Sequence, residues 1–181
     1  MLHRFLLTIL PPQELSAAVD RLRDQLHARI GSFSGRYLLP HITLFIADLP
    51  AACEASICEA IDQGVNGQHG FALRYEGITH FPDKRTIYID PVEKETISVV
   101  RTPVVTALRQ QKALGPALRE TDHPHLTIAA GLKPAQFTTV WGMLAPLDLS
   151  GQGMVAEVVL MKRLLRPGER YAHVRSFPLR S

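Results

Sequence analysis

Cysteine is nearly absent from this chain: Cys53 and Cys58 are its only two in 181 residues. They fall five positions apart in a stretch of helical periodicity, which turns them away from one another and matches no Cys-x-x-Cys redox or metal spacing. A disulfide-stapled scaffold is excluded, and the pair reads as buried thiols of a reducing compartment. Long apolar runs are missing as well. The opening run from Phe5 to Leu10 is closed by Pro11-Pro12 and is too short for a signal-peptide core or a membrane span. There is no Gly-rich phosphate loop to hold a nucleotide cofactor, no low-complexity segment and no flexible linker. These absences leave the expectation of a soluble cytoplasmic protein in one compact unit spanning 1–181, a monomer without a membrane partner and without a cofactor.

Charge is present in ordinary amount but uneven kind. The 46% hydrophobic and 20% charged composition is that of a globular protein with a formal net charge of only +3. Arg supplies 15 of the 20 basic residues, and the last 21 positions hold Lys162, Arg163, Arg166, Arg170, Arg175 and Arg180 against the single acid Glu169. Guanidinium forks match phosphate geometry, so this end permits an anionic or nucleic-acid partner. The alternative is a solvated Arg-rich face with no partner.

The sequence also says one short phrase twice. Pro40-His41-Ile42-Thr43-Leu44 and Pro124-His125-Leu126-Thr127-Ile128 both read Pro, His, apolar, Thr, apolar. At this composition the expected number of such pentapeptides is roughly 0.006, so two copies need a reason. In an extended strand, side chains two residues apart share a face, which puts each His beside its Thr and opposite the apolar residues.

The pattern around the phrases nearly repeats. Phe5 to Leu10 reads as a buried strand; Leu15, Val19, Leu22, Leu26 and Ile30 recur at helical spacing up to Gly31. The first motif follows as a strand from Leu38 to Ile46, and a second helix runs from Pro50 through Ile61 to a stop at Gly64 and Gly67. Phe71 to Ile78 and Thr86 to Ile89 read as strands around a turn at Pro82-Asp83-Lys84. A third helix covers about 93–114, interrupted or kinked near Pro103. The second motif, His125 to Ala130, is again a strand; a helix over Pro134 to Leu144, a strand over Val155 to Leu164 and a final hairpin to Phe177 complete the chain. Two similar halves, each delivering one His-x-Thr strand, imply an α+β architecture of pseudo-two-fold symmetry with the motifs facing each other across a cleft.

Two imidazoles with ordinary pKa values near 6.5 divide labour at neutral pH, one as general base and one as general acid. Placed on either side of a phosphate they form a metal-free phosphodiester site, and a stiff β-branched Thr donates to a non-bridging oxygen at low entropic cost. Here the residues carry a resemblance. The paired motifs, half a chain apart, resemble the signature motifs of the 2H phosphoesterases, in particular the 2′-5′ RNA ligase-like branch, or RNA 2′,3′-cyclic phosphodiesterases. Phe81-Pro82-Asp83-Lys84-Arg85 and Leu165-Arg166-Pro167-Gly168-Glu169-Arg170-Tyr171 are similar to two hairpins typical of that branch.

The resemblance implies a bilobal fold in which two antiparallel sheets line a central basic groove with helices outside. It implies hydrolysis of an RNA or small-nucleotide 2′,3′-cyclic phosphate to a 2′-phosphomonoester by His41, Thr43, His125 and Thr127, with 2′-5′ ligation as a reverse reaction. By analogy His125 activates water and His41 protonates the leaving 3′ oxygen. One departure stands out: many members carry an Arg three residues after the second Thr, where this chain has Ala130. Arg36, Arg85, Arg166 and Arg170 are candidates to replace its phosphate contact, and Phe81 and Tyr171 to stack on a base. Two rival readings compete. One is a zinc cluster of His41, His80, His123 and His125, which leaves the repeated Thr without a use; the residues therefore point to no metal. The other is a non-catalytic RNA- or nucleotide-binding module on the same scaffold.

Overall fold

The fold is taken from a computed structural model, which describes residues 1–81 and 83–181. Pro82, in the turn expected between the two central strands, lies outside the described residues. In chain order the elements are β1 (Leu2–Ile9), α1 (Gln13–Ile30), β2 (Ile42–Pro50), α2 (Glu54–Val65), β3 (Phe71–Phe81), β4 (Thr86–Pro91), α3 (Lys94–Gln110), β5 (Leu118–Glu120), β6 (Leu126–Ala129), α4 (Pro134–Leu144), β7 (Ser150–Val155), β8 (Glu157–Leu164) and β9 (Ala172–Pro178). Among the described residues the nine strands form an antiparallel sheet of order β7-β3-β4-β6-β2-β1-β8-β9, with short β5 against β2. No helix is long and apolar enough to cross a membrane, among those described.

The join between β2 and β6 divides this sheet. These two motif strands pair at Ile42↔Leu126 alone, whereas β1 and β2 share eight residue pairs. The two arrays implied by the resemblance are thus halves that touch along one pair. Helices α1 and α4 cover the β7-β3-β4-β6 half, and α2 and α3 cover the other. Leu15 of α1 sits over Gly151 of β7, while Asp62 of α2 pairs with Arg175 of β9 and Glu54 with Lys162 of β8. Each half of the chain therefore lends a helix to the opposite half of the sheet, since α1 follows β1 and α3 follows β4.

The core is apolar on both faces where the sequence is continuously apolar: Phe5, Leu7 and Ile9 are fully buried, and Leu6 between them is nearly so. Several boundaries differ from the sequence reading. The motif strands begin at Ile42 and Leu126, one residue past each His, because Pro40 and Pro124 donate no ladder hydrogen bond. Helix α3 passes through Pro103 and stops at Gln110, before the expected Leu114. Strands β5 and β7 go beyond what the sequence predicts; β7 forms although two of its six residues are glycine, because Leu15 and Pro12 press on Gly151 and Gly153.

Gly64 does not stop α2; it lies inside it, at the crossing with α3. A Cβ there would meet the Val104 Cα at 2.4 Å and its N at 2.6 Å. Gly64→Ala is expected to destabilise the protein by about 1–3 kcal/mol through overpacking, read as a lower urea midpoint. Gly142→Ala, on exposed helix surface with open space around it, is expected to move the midpoint the other way by about 0.5–1 kcal/mol.

Candidate functional site

The repeated phrase is brought to one place by the seam. Ile42 and Leu126, the paired residues, are fully buried, as are Leu44 and Ile128. Strand alternation then sends His41, Thr43, His125 and Thr127 to the opposite, half-buried face. The two motif strands meet antiparallel at Ile42 and Leu126, the residues that follow the two histidines. The one matched pair thus brings the two His-x-Thr motifs side by side, running in opposite directions.

Both rings are held in the same way. His41 Nδ1 lies 2.6 Å from the Leu39 carbonyl oxygen, and His125 Nδ1 lies 2.7 Å from that of His123. A carbonyl only accepts, so Nδ1–H donates in each case and Nε2 is the atom left to exchange protons. Burial pushes both imidazoles below their ordinary pKa. The backbone bond opposes this for each; the charges of Arg23 and His125 add to it at His41, and those of His123 and Lys84 at His125.

Residues 11–166 match the 2′-5′ RNA ligase superfamily. This chain belongs to that superfamily. The match spans both motifs and supports the 2H phosphoesterase resemblance read from them. Among solved structures, LigT of E. coli in complex with 3′-AMP is 16% identical over 99% of each chain with a TM-score of 0.67. TT0787 of Thermus thermophilus is 17% identical over 98% of each chain with a TM-score of 0.71. At such identities these likenesses speak for the shared fold. No curated protein matches the chain in sequence.

The surroundings of the two histidines in this superfamily member are not alike. His125 sits against an aromatic cluster: Phe81 and Tyr88 present ring contacts at 5.0 and 5.3 Å, and stack on one another at 4.4 Å. Lys84 lies 5.5 Å over the Phe81 ring and faces His125, so it supplies the cation near the second motif. At position 130 the backbone of Ala130 is bonded in both directions to Ser34, and the methyl side chain offers no phosphate contact. A cavity of about 350 Å³ opens beside His125, lined also by Phe81, Lys84 and Thr121.

The segment just before the first motif, Leu38 and Leu39, instead lines a cleft of about 690 Å³ that also contains Arg36, Arg170 and Tyr171. Three of the expected binding residues therefore share a cleft with Leu38 and Leu39, ahead of the first motif, and one, Phe81, is beside His125. The other two are not brought in. Arg85 spends its Nε on the Leu132 carbonyl at 2.7 Å, and Arg166 pairs with Glu169 at 2.6 Å on an exposed turn. Half of the six basic residues at the C-terminal end are neutralised from within: besides Arg166, Arg175 makes a two-pronged pair with Asp62 at 2.8 and 2.9 Å and Lys162 pairs with Glu54. The groove is accordingly mixed in charge, with Asp20, Asp24, Asp122 and Glu169 on its cleft walls, and not uniformly basic. His80 does not join His123 and His125; it packs against Phe137 and Trp141 of α4, 5.1 and 4.6 Å away.

The residue that sequence reasoning missed is Arg23. It occupies the apolar stripe of α1, four positions after Val19, and is only 2% exposed. Its Nε donates to the Ile128 carbonyl at 3.1 Å and its Nη2 to that of Thr127 at 2.8 Å. Its Nη1 donates to the Leu38 carbonyl and to Asp20 Oδ1. One buried guanidinium thus ties the approach to the first motif to the backbone of the second. An Arg on a helix face otherwise reserved for Leu and Val was the available signal.

Proposed function

We propose that this protein is a metal-independent 2′,3′-cyclic phosphodiesterase that opens the cyclic phosphate of an RNA end or small nucleotide to a 2′-phosphomonoester. The observation that carries this is the pair of imidazoles brought to one seam, each with Nδ1 committed to a carbonyl two residues earlier, which leaves Nε2 for proton exchange. Neutral His125 Nε2 takes a proton from water, and the water oxygen bonds to phosphorus. The P–O3′ bond breaks, and the departing O3′ takes the proton from His41 Nε2–H. The proton gained by His125 and lost by His41 is then exchanged with solvent. Thr43, Thr127 and Lys84 donate to the non-bridging oxygens as charge builds there. With a ribose 5′-hydroxyl in place of water, the same two residues would form a 2′-5′ linkage. We assign the protein as a single unit of 1–181 acting on a diffusible nucleotide or RNA substrate.

Burial fixes the direction of the pH dependence. The base works only when neutral, so rate falls as pH drops through its pKa; the acid works only when protonated, so rate falls as pH rises through its own. Both pKa values are lowered, so the bell of kcat/KM, which reports the free enzyme, should centre below 6.5. A bound phosphodiester anion raises both, and the kcat profile should lie on the alkaline side of the kcat/KM profile. A monotonic rise into alkaline pH would sink the two-histidine mechanism.

The reaction itself is tested with a set of 2′,3′-cyclic phosphates from mononucleotide to short oligonucleotide, separating 2′- from 3′-monoester products. Sole release of the 2′-monoester, undiminished by a chelator, is expected. Release of the 3′-monoester would show that O2′ leaves, reversing the regiochemistry.

A further inference from the structure

Both histidines of the site are held by carbonyls, and the two carbonyls are themselves held differently. The one that bonds His41 belongs to Leu39, whose side chain is 45% exposed and has no group to form a hydrogen bond. Its counterpart in the second copy is His123, whose carbonyl bonds His125 at 2.7 Å. Residues 121–125 lie between the end of β5 at Glu120 and the start of β6 at Leu126, so neither a helix nor a sheet ladder fixes that carbonyl.

Side chains fix it instead. Thr121 Oγ1 accepts from the His123 N–H at 3.3 Å and donates to the His123 carbonyl at 3.1 Å, so both lone pairs of that oxygen are used. The His123 ring is held as well, although 46% of its side chain is exposed. Its Nε2 is hydrogen-bonded to the Tyr88 hydroxyl at 3.2 Å, and the ring packs T-shaped against Phe81 at 5.1 Å. Asp90 Oδ1 lies 3.8 Å from the same nitrogen and is buried with no hydrogen-bond partner among the described residues, while Asp90 Oδ2 takes Lys94 at 2.7 Å. A buried carboxylate oxygen is costly to leave unpaired, so it favours a ring nitrogen held on that side. Tyr88 is a firm point of attachment: it is buried, belongs to β4 and pairs across the ladder with Thr127 of the second motif. The bond from His123 to Tyr88 therefore ties an irregular segment to the strand next to the one that carries the motif.

We propose that His123 is a positioning residue for His125: its ring, moored to Tyr88 beside Asp90, aims the carbonyl that holds His125 Nδ1–H and so keeps Nε2 as the atom that meets water. The role rests on the phosphodiesterase reading above and deepens it for one motif only, since Leu39 has no such mooring. With the carbonyl displaced, the His125 ring is free to turn and to carry its proton on either nitrogen. Reacting groups misplaced by about 1 Å cost up to about 10²-fold in rate, so a partial loss of aim is expected to cost about tenfold.

Three variants test this, each read by two measurements. His123→Leu sets at this position the residue type found at 39 and keeps the backbone carbonyl. Tyr88→Phe removes the hydroxyl alone and keeps the ring stacked on Phe81. His123→Gln keeps a side-chain amide able to bond the Tyr88 hydroxyl. Nitrogen-15 NMR shifts of the imidazole report which nitrogen of neutral His125 carries the proton, and kinetics with a 2′,3′-cyclic phosphate report kcat and KM. The parent protein is expected to show the Nδ1–H form alone. His123→Leu and Tyr88→Phe should show both forms, with kcat about tenfold lower, KM little changed and the thermal midpoint kept; His123→Gln should restore the single form and most of kcat. An unchanged proton position and kcat in either His123→Leu or Tyr88→Phe overturns the mooring and leaves the catalytic reading intact, as does a His123→Gln variant that falls as far as His123→Leu. A parent protein that turns over no cyclic phosphate, while the proton position responds as expected, overturns the phosphodiesterase reading alone and leaves the positioning of His125 by His123 standing.

Discussion

Replacing His41 or His125 by Ala is expected to lower turnover of a 2′,3′-cyclic phosphate by about 10²- to 10⁴-fold while RNA binding is largely kept. In the proposed mechanism each ring supplies one proton transfer, whereas affinity comes from groups that stay in place. Thr43, Thr127, Lys84 and the other residues lining the two cavities are unchanged by the substitution. Neither imidazole ties the fold together, since each ring's Nδ1 bond runs to a carbonyl only two residues earlier in its own loop. Loss of structure should therefore be small, checked by an unchanged thermal midpoint. The double replacement should cost little more than either single one, because a reaction needing both transfers is already lost when one fails. If the single variants instead lost affinity, and the parent protein never turned over a cyclic phosphate, the chain would be a binding module on an enzyme scaffold.

The second large effect is expected at Arg23. Arg23→Met keeps much of the side-chain volume but removes every donor, leaving the carbonyls of Leu38, Thr127 and Ile128 without the group that satisfied them. Hydrogen bonds to a charged group contribute about 1.5–3 kcal/mol each, and breaking a buried charged network costs about 3–5 kcal/mol, so destabilisation in that range is expected by urea unfolding. Arg23→Lys separates fold from function. An ammonium keeps the charge yet cannot address three carbonyls in the planes that a guanidinium fork reaches. It should fold, with kcat falling more than KM rises, because the two motifs lose their fixed spacing rather than their contacts with substrate. The charge has its own readout: Arg23 lowers the His41 pKa, so the His41 limb of the kcat/KM profile should move toward alkaline pH in Arg23→Met and much less in Arg23→Lys. Unmoved limbs and unchanged kcat in both variants would confine Arg23 to holding the fold.

What could be read from the sequence was whatever local rules decide. Helix α4 runs from Pro134 to Leu144 as its start signal and apolar spacing imply, and α1 ends at Gly31, where φ is 74°. The alternation of His-x-Thr with buried Ile42, Leu44, Leu126 and Ile128 was equally plain. What escaped was decided by packing between distant segments. Gly64 looked like a helix stop and is a contact point for Val104; Ser150 to Val155 has poor strand propensity and is a strand because α1 lies on it. Arg23 and Lys84 escaped for the same reason, since their partners are brought near only by the fold. Charge counting misled at the C-terminal end, where Arg175 and Lys162 answer acids more than 100 residues away in the chain.

The single-pair seam has a consequence for how this site can change. A residue i opposed to j, with the counterpart of j opposed to the counterpart of i, is the geometry of an isologous dimer contact, written here within one polypeptide. In a true homodimer every substitution appears twice, so the two half-sites stay identical. A tethered pair is released from that constraint. One half sets an aromatic cluster against its imidazole and the other does not, so the proposed acid and base can diverge independently while Ile42 and Leu126 hold the two strands in register.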